Sequence, residues 1–282
     1  MAGRNIVVQD LEISNLEEYM KACSKMFSQQ NKEVLWFRGQ DHTWDLKPGI
    51  YRDVKTEKQL KSRVSEEQVM INDFYVQAPL KLGRSPRDGW EWLAIMQHRR
   101  LPTRLLDWSE SVLQALFFAL HKWDTAQKRQ PVVYVLDPSE LNQRVIDSES
   151  IVITDNERLA NWLPNTLRFF HPSLNLMSND KGVIGGGNKP LAIYVQHVDS
   201  RIGSQKGAFT LHGTDFEALE KNYTEIIGRI YIDATGGNIQ RAKRRSQLLY
   251  ELDFCGVNEH TTYGDLDSLS EYLSRIHLTR NK

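Results

Sequence analysis

The sequence predicts an α+β fold, a single domain in which helices flank a central mixed or antiparallel sheet. Three observations lead there. Strand-like and helix-like segments are interspersed over 282 residues without strict alternation. No internal repeat, low-complexity tract or Pro/Ser-rich linker divides the chain. Apolar residues make up 40% and charged residues 26%, the mix of a globular chain long enough to bury a sizeable core.

The elements follow in order. SNLEEYMKACSKMF predicts a first helix: Ser14 and Glu17 are spaced as a capping box, and Leu16, Met20, Cys23 and Phe27 recur at helical spacing. EVLWFRG reads as a strand closed by Gly39, and residues 41–52 are turn-rich, ending in KPGIYR. Val69, Phe74, Val76 and Leu80 support a helix over 66–82, which Pro79 must end or bend. Another helix covers 90–98, Pro102 stops it, and TRLLDW is a short strand. Ser109 suits the N-cap of the next helix, whose Leu113, Leu116, Phe117 and Leu120 form an apolar stripe. PVVYVLD is a buried strand followed by a short helix at SELNQRV. A helix is expected over 157–170 around Pro164, then a loop over 172–190 that contains GVIGGGNKP. LAIYVQ, AFTLH and GRIYID are strands, with a helix at TDFEALEK between the last two. Helices over 239–252 and 266–276 close the chain.

Charge and motifs narrow the function. Lys plus Arg and Asp plus Glu both count 36, so no global field steers the chain to nucleic acid or membrane. Cys23 and Cys255 provide neither a disulfide framework nor a metal set, which suits a reducing cytoplasm. MAGRNIVVQD lacks an apolar signal core and no run is long enough to span a membrane, so a cytoplasmic location without a membrane partner is expected. There is no GxxxxGK[ST] loop, no HExxH, no CxxC pair and no GxSxG elbow. Gly185, Gly186 and Gly187 precede a strand, where a dinucleotide fingerprint would follow one. No metal is expected.

Three polar constellations remain. In WFRGQ, Arg38 ends an apolar strand and Gly39 permits a sharp turn or close approach of a ligand. A salt-bridged structural arginine is the alternative. QHRRLPTRLLDWSE is denser. Strand alternation puts Thr103, Leu105 and Asp107 on one face and Arg104, Leu106 and Trp108 on the other, and leaves open which lines a pocket. His98 lies at a helix end, and Asp107 or Ser109 faces the start of the next helix, where free N–H groups bind anions. A corner of caps and salt bridges explains it equally well. In RIGSQKGAFTLH, Arg201, Gln205 and Lys206 lead into a strand, again either a strand mouth or a surface hairpin; His212 alone is more often a satisfied structural histidine. RAKRRSQ at 241–247 reads as a solvated basic face, with a nucleic-acid patch the minority reading.

Together these segments resemble the FRG domain family, named for its Phe/Tyr-Arg-Gly motif. The resemblance rests on Phe37-Arg38-Gly39, Pro48 with Arg52, Gln97-His98, LPTRLLDW at 101–108, ALFFA at 115–119, VVYVLDP, Arg201, Gln205-x-Gly207-x-Phe209-Thr210 and LLYELDFCGV. Arg99-Arg100 departs from it, since members commonly carry an aromatic and Gly there. The reading divides the chain into an N-terminal helical extension at 1–32 and an FRG domain at 33–282. A weaker similarity, to ADP-ribosyltransferases, implies an ADP-ribosyltransferase-like sheet and an NAD-consuming transferase acting on RNA, DNA or protein. A bacterial toxin or phage-defence effector, with a neutralising antitoxin partner, would fit that activity. It implies catalytic roles for Arg38, Asp107 and Gln205, and NAD contacts from Arg38, Gly39, Gln40, His98, Thr103, Arg104, Trp108 and Ser109. The alternative is a non-catalytic module that binds or senses a nucleotide or other anion.

Overall fold

The computed structural model describes residues 10–30, 34–154, 162–164, 167, 187–195 and 207–278. Its centre is one eight-stranded sheet. In chain order the strands are β1 (Asp10–Ile13), β2 (Trp36–Gln40), β3 (Leu105–Ser109), β4 (Val132–Leu136), β5 (Val152–Ile153), β6 (Leu191–Tyr194), β7 (Gly207–Leu211) and β8 (Ile227–Ile232). Across the sheet they run β1-β8-β4-β2-β3-β7-β6-β5. The outer pairs β1–β8 and β5–β6 are parallel and every inner pair is antiparallel, so the sheet is mixed, as expected.

Helices cover both faces. α1 (Leu16–Gln30), α4 (Val112–His121) and α7 (Asn238–Phe254) enclose a core with Phe37, Val133, Val135, Ile230 and Ile232. On the same face, beyond β3, α2 (Glu57–Leu82) and α3 (Gly89–His98) pack over Leu105, Leu191, Ile193, Phe209 and Leu211. The opposite face carries Trp36, Leu106, Trp108, Tyr134 and Leu136, covered from α5 (Pro138–Ile146) and α6 (Leu219–Asn222) by Leu141 and Leu219. α8 (Glu259–Tyr263) and α9 (Leu266–Leu278) complete the described chain.

Several boundaries differ from the sequence reading, for local reasons. α1 is capped one residue later than Ser14: the Glu18 amide donates to Asn15 Oδ1 at 2.9 Å, and Glu18 reaches back to the Ser14 amide. Its buried face is accordingly Tyr19, Ala22, Cys23 and Met26, and Met20 is exposed. The N-terminal extension also adds a strand, β1, whose alternation of polar and apolar residues, DLEI, is only four residues long. α2 begins at Glu57 behind the Thr56 cap and takes Pro79 into its last turn; Val69, Val76 and Leu80 point to solvent while Leu60, Glu67, Ile71 and Ala78 are buried. Ser111, not Ser109, caps α4, its hydroxyl accepting from the Gln114 amide at 3.3 Å. Ser109 is instead the last residue of β3, and its hydroxyl accepts from the Ser111 amide. TDFEALEK forms only the short α6, and α8 has no counterpart in the reading. Most of the helix expected over 157–170 and of the loop over 172–190 lies outside the described residues.

Candidate functional site at the parting of β2 and β3

The middle of the sheet is where the motifs meet. β2 pairs with β4 at five positions and β3 with β7 at five, yet β2 and β3 pair only at Phe37 and Ser109. Past that bridge the strands part. Arg38 follows immediately and bridges the gap: its Nη1 donates to the Asp107 carbonyl oxygen at 2.7 Å and lies 3.9 Å from Asp107 Oδ2. Burial pushes Arg38 below the ordinary arginine range and nearby Arg52 adds to that, while the Asp107 carboxylate pulls it back up. Two guanidinium groups close together beside one carboxylate suit an anion.

A relay of hydrogen bonds continues from Asp107. Gln97, at the end of α3, donates through Nε2 to Asp107 Oδ2 at 2.8 Å. The Thr103 hydroxyl donates to Gln97 Oε1 at 2.5 Å and accepts from the Leu105 amide at 3.0 Å. The Ile50 amide donates to the Thr103 carbonyl at 3.2 Å, which seats KPGIYR against LPTR. Arg38, Arg52, Gln97, Thr103 and Asp107 therefore share one locality although they span 70 positions of sequence. The alternation left open along 103–108 resolves: Thr103 and Asp107 join this network, and Asp107 is the exposed member, its side chain 58% accessible.

Arg104 and Trp108 brace the site from behind. Arg104 is buried in an ion pair with Glu67 of α2, donating from Nε at 2.8 Å and from Nη2 at 2.5 Å. Trp108 is buried, and its indole N–H donates to Thr210 Oγ1 at 3.1 Å. Arg104 and Trp108, both expected to contact NAD, have partners within the protein: the guanidinium has a carboxylate and the indole lies in the core. Thr210 Oγ1 also lies 3.1 Å from His212 Nε2, and burial holds His212 at about 3, so the structural reading of His212 stands.

Gly39 also has a different task from the one expected. A Cβ there would sit 1.7 Å from the Ala115 carbonyl oxygen and 2.6 Å from the Ala119 amide nitrogen. Gly39 admits α4 to the sheet rather than a ligand, which explains the small residues of ALFFA. Gln40, by contrast, is buried with its Oε1 short of any partner. His98 is half-buried in the last turn of α3, and Ser109 is buried against α4, its hydroxyl 3.2 Å from Gln114 Oε1. Gln205, with Arg201 and Lys206, lies outside the described residues.

Three participants, Arg52, Gln97 and Glu67, were absent from the expected set. Gln97 stands in the QH pair, whose position at a helix end was readable. Glu67 interrupts the buried spacing Leu60, Glu67, Ile71, Ala78, a carboxylate where an apolar residue belongs. The three arginines of RAKRRSQ are held by partners within the protein, while Lys243, Ser246 and Gln247 are exposed. Arg241 donates to the carbonyls of Thr125 and Gly236, Arg244 pairs with Asp233 at 2.6 Å, and Arg245 caps α4 through the carbonyls of Leu120 and His121.

Elsewhere, a groove of about 980 Å³ runs along α2 past Met70, Phe74, Ala78, Leu82 and Leu101, and none of the expected site residues lines it. His121, Glu259 and Glu271 bring ligand-type atoms within 4.8 Å of one another, but Glu259 already receives two bonds from Arg275, at 2.7 and 2.9 Å. Among the described residues no helix is long and apolar enough to cross a membrane.

Residues 33–128 match the family model of the FRG domain. That span is similar to the FRG domain. The match runs from ahead of β2 to just beyond α4. It holds every component of the relay, from Arg38 to Asp107, together with the Glu67–Arg104 brace. The FRG motif itself divides by face: Phe37 enters the core, Arg38 crosses to β3, and Gly39 receives α4. No curated protein and no solved structure matches the chain.

Proposed function

We propose that the FRG domain of this chain binds NAD at the parting of β2 and β3 and transfers its ADP-ribose to a macromolecular acceptor. The observation that carries this reading is Arg38, placed in the gap with its Nε buried and without a partner. A ligand phosphate or ribose oxygen would complete it. The strand order supports the reading too. FRG, TRLLDW and the strand entered from RIGSQKG are β2, β3 and β7, side by side in that order. That is the order of elements which the similarity to ADP-ribosyltransferases implies.

The chemistry asks little of a nucleophile. Cleavage of the nicotinamide–ribose bond develops positive charge on the ribose, which a carboxylate stabilises and a fixed geometry accelerates. Asp107 is the exposed carboxylate of the relay, and Gln97, itself fixed by Thr103, holds its orientation. Arg38 holds the anionic part of the substrate. The acceptor is RNA, DNA or protein, and such an activity suits a toxin or phage-defence effector held in check by an antitoxin.

Incubation of the purified chain with NAD labelled in the nicotinamide or the adenylate, with and without cellular RNA, DNA or protein, tests the reading. Release of nicotinamide and transfer of label are expected. NAD left intact with every acceptor would refute it.

A further inference from the structure

The relay leaves the other polar residues at the end of β2 unexplained. Arg38, Gln40 and His42 alternate along the chain, and each buries a polar atom that lacks a hydrogen-bond partner: Arg38 Nε, Gln40 Oε1 and His42 Nδ1. Gln40 is the extreme case, with 9% of its surface accessible. Buried polar atoms are almost always paired, so a run of three on one strand end is a place where a polar molecule belongs. An amide oxygen accepts, so the group missing at Gln40 is a donor, N–H or O–H.

An aromatic surface adjoins the row. Trp44 is 51% exposed, whereas Trp36, Trp90, Trp92, Trp108, Trp123 and Trp162 are all buried. Its ring is nevertheless fixed: the indole N–H donates to Asp41 Oδ1 at 3.1 Å, the Arg129 guanidinium sits 5.5 Å from the ring centre, and the His42 ring packs edge-on at 5.2 Å. Connections to the site are direct. Tyr134, which pairs with Arg38 across β2 and β4, donates its hydroxyl to the Trp44 carbonyl at 3.3 Å. Gln40 pairs with Val132, three residues beyond Arg129. A half-exposed aromatic ring, packed against the His42 end of a row that holds an unpaired acceptor, suits a nucleobase with an exocyclic amine.

We propose that Trp44 and Gln40 form the base subsite of the ligand bound at Arg38. An adenine stacks on Trp44 and donates its exocyclic amine to Gln40 Oε1. Arg38 Nε meets the oxygens of the ribose or phosphate that follow. This rests on the NAD reading above, and it assigns the adenine end to residues outside the relay.

The test compares NAD with its hypoxanthine analogue, which carries a carbonyl in place of the amine, by calorimetric titration of the full chain. The wild type should bind NAD about five- to tenfold more tightly than the analogue, the value of one buried hydrogen bond. Gln40→Leu should lose that preference, while Gln40→Glu, which keeps an acceptor oxygen, should retain it. Trp44→Ala should weaken both ligands by the same factor, about fivefold or more. Should Gln40→Leu fail to fold, Gln40→Ser removes the same reach with a smaller side chain. Equal affinity of the wild type for both ligands, an unchanged preference in Gln40→Leu or Gln40→Ser, or no binding of either dinucleotide would overturn the assignment. NAD bound with the expected preference but never consumed would refute the transferase and leave the base subsite standing.

Discussion

Gly39 and Ala115 lie so close that a single methyl group on Gly39 would fall 1.7 Å from the Ala115 carbonyl oxygen. α4 therefore rests on bare β2 backbone, and only two residues separate it from the end of β3. The contact sets where β2, β3 and the helix that follows them meet, and so sets the place at which the strands part.

Gly39→Ala should be among the most damaging small substitutions in the chain. Rigid backbone on both sides leaves nowhere for the methyl group to go, and overpacking of this kind costs about 1–3 kcal/mol or more. Gly83→Ala is the control. Gly83 has a left-handed backbone with φ of 69° and nothing within 4 Å, so only conformational strain of about 1–2 kcal/mol is lost there. Thermal unfolding of the two variants should show the larger drop for Gly39→Ala.

Arg38→Ala should leave the fold intact, because Arg38 makes one hydrogen bond to a carbonyl and a long contact to an exposed carboxylate. NAD consumption should fall to background. Arg38→Lys should not restore it, since a point charge cannot serve the Asp107 carbonyl and a ligand oxygen together as a fork does. Nicotinamide release, measured beside circular dichroism of both variants, checks this; equal loss of folded protein in both would make Arg38 structural.

Glu67→Gln should destabilise strongly. The change leaves the buried Arg104 charge without its counter-ion, a loss of about 3–5 kcal/mol. The double variant Glu67→Leu with Arg104→Met removes both charges and should recover much of that loss. Urea midpoints of the single and double variants provide the comparison.

His212 contributes a defined pH dependence. The folded chain keeps it neutral down to about 3, whereas the unfolded chain takes up a proton near the ordinary 6.5. Below pH 6.5 the unfolded state binds the extra proton, so stability declines as pH falls from 6.5 towards 3, by up to about 1.4 kcal/mol per pH unit. Above 6.5 the residue adds no pH dependence. His212→Gln should flatten this part of the profile, as seen in denaturation midpoints at pH 7.5, 5.5 and 4.5.

Much of this was written locally. The mixed sheet and its helices follow from apolar spacing and turn residues, and FRG and LPTRLLDW mark the middle of the sheet as the candidate site. Those features depend on residues near one another in sequence. The face of a helix depends on what packs against it, which is why Val69, Val76 and Leu80 have the look of a core face in sequence yet are exposed. The roles of the motif residues were decided in the same way. Only the tertiary structure gave Arg104 to Glu67 across 37 positions, buried Trp108 under Thr210, turned Gly39 towards α4, and brought Gln97 to Asp107. A guanidinium, an indole or an amide is defined chemically by its sequence, but the partner that satisfies it is chosen by the strands and helices that arrive from elsewhere in the chain.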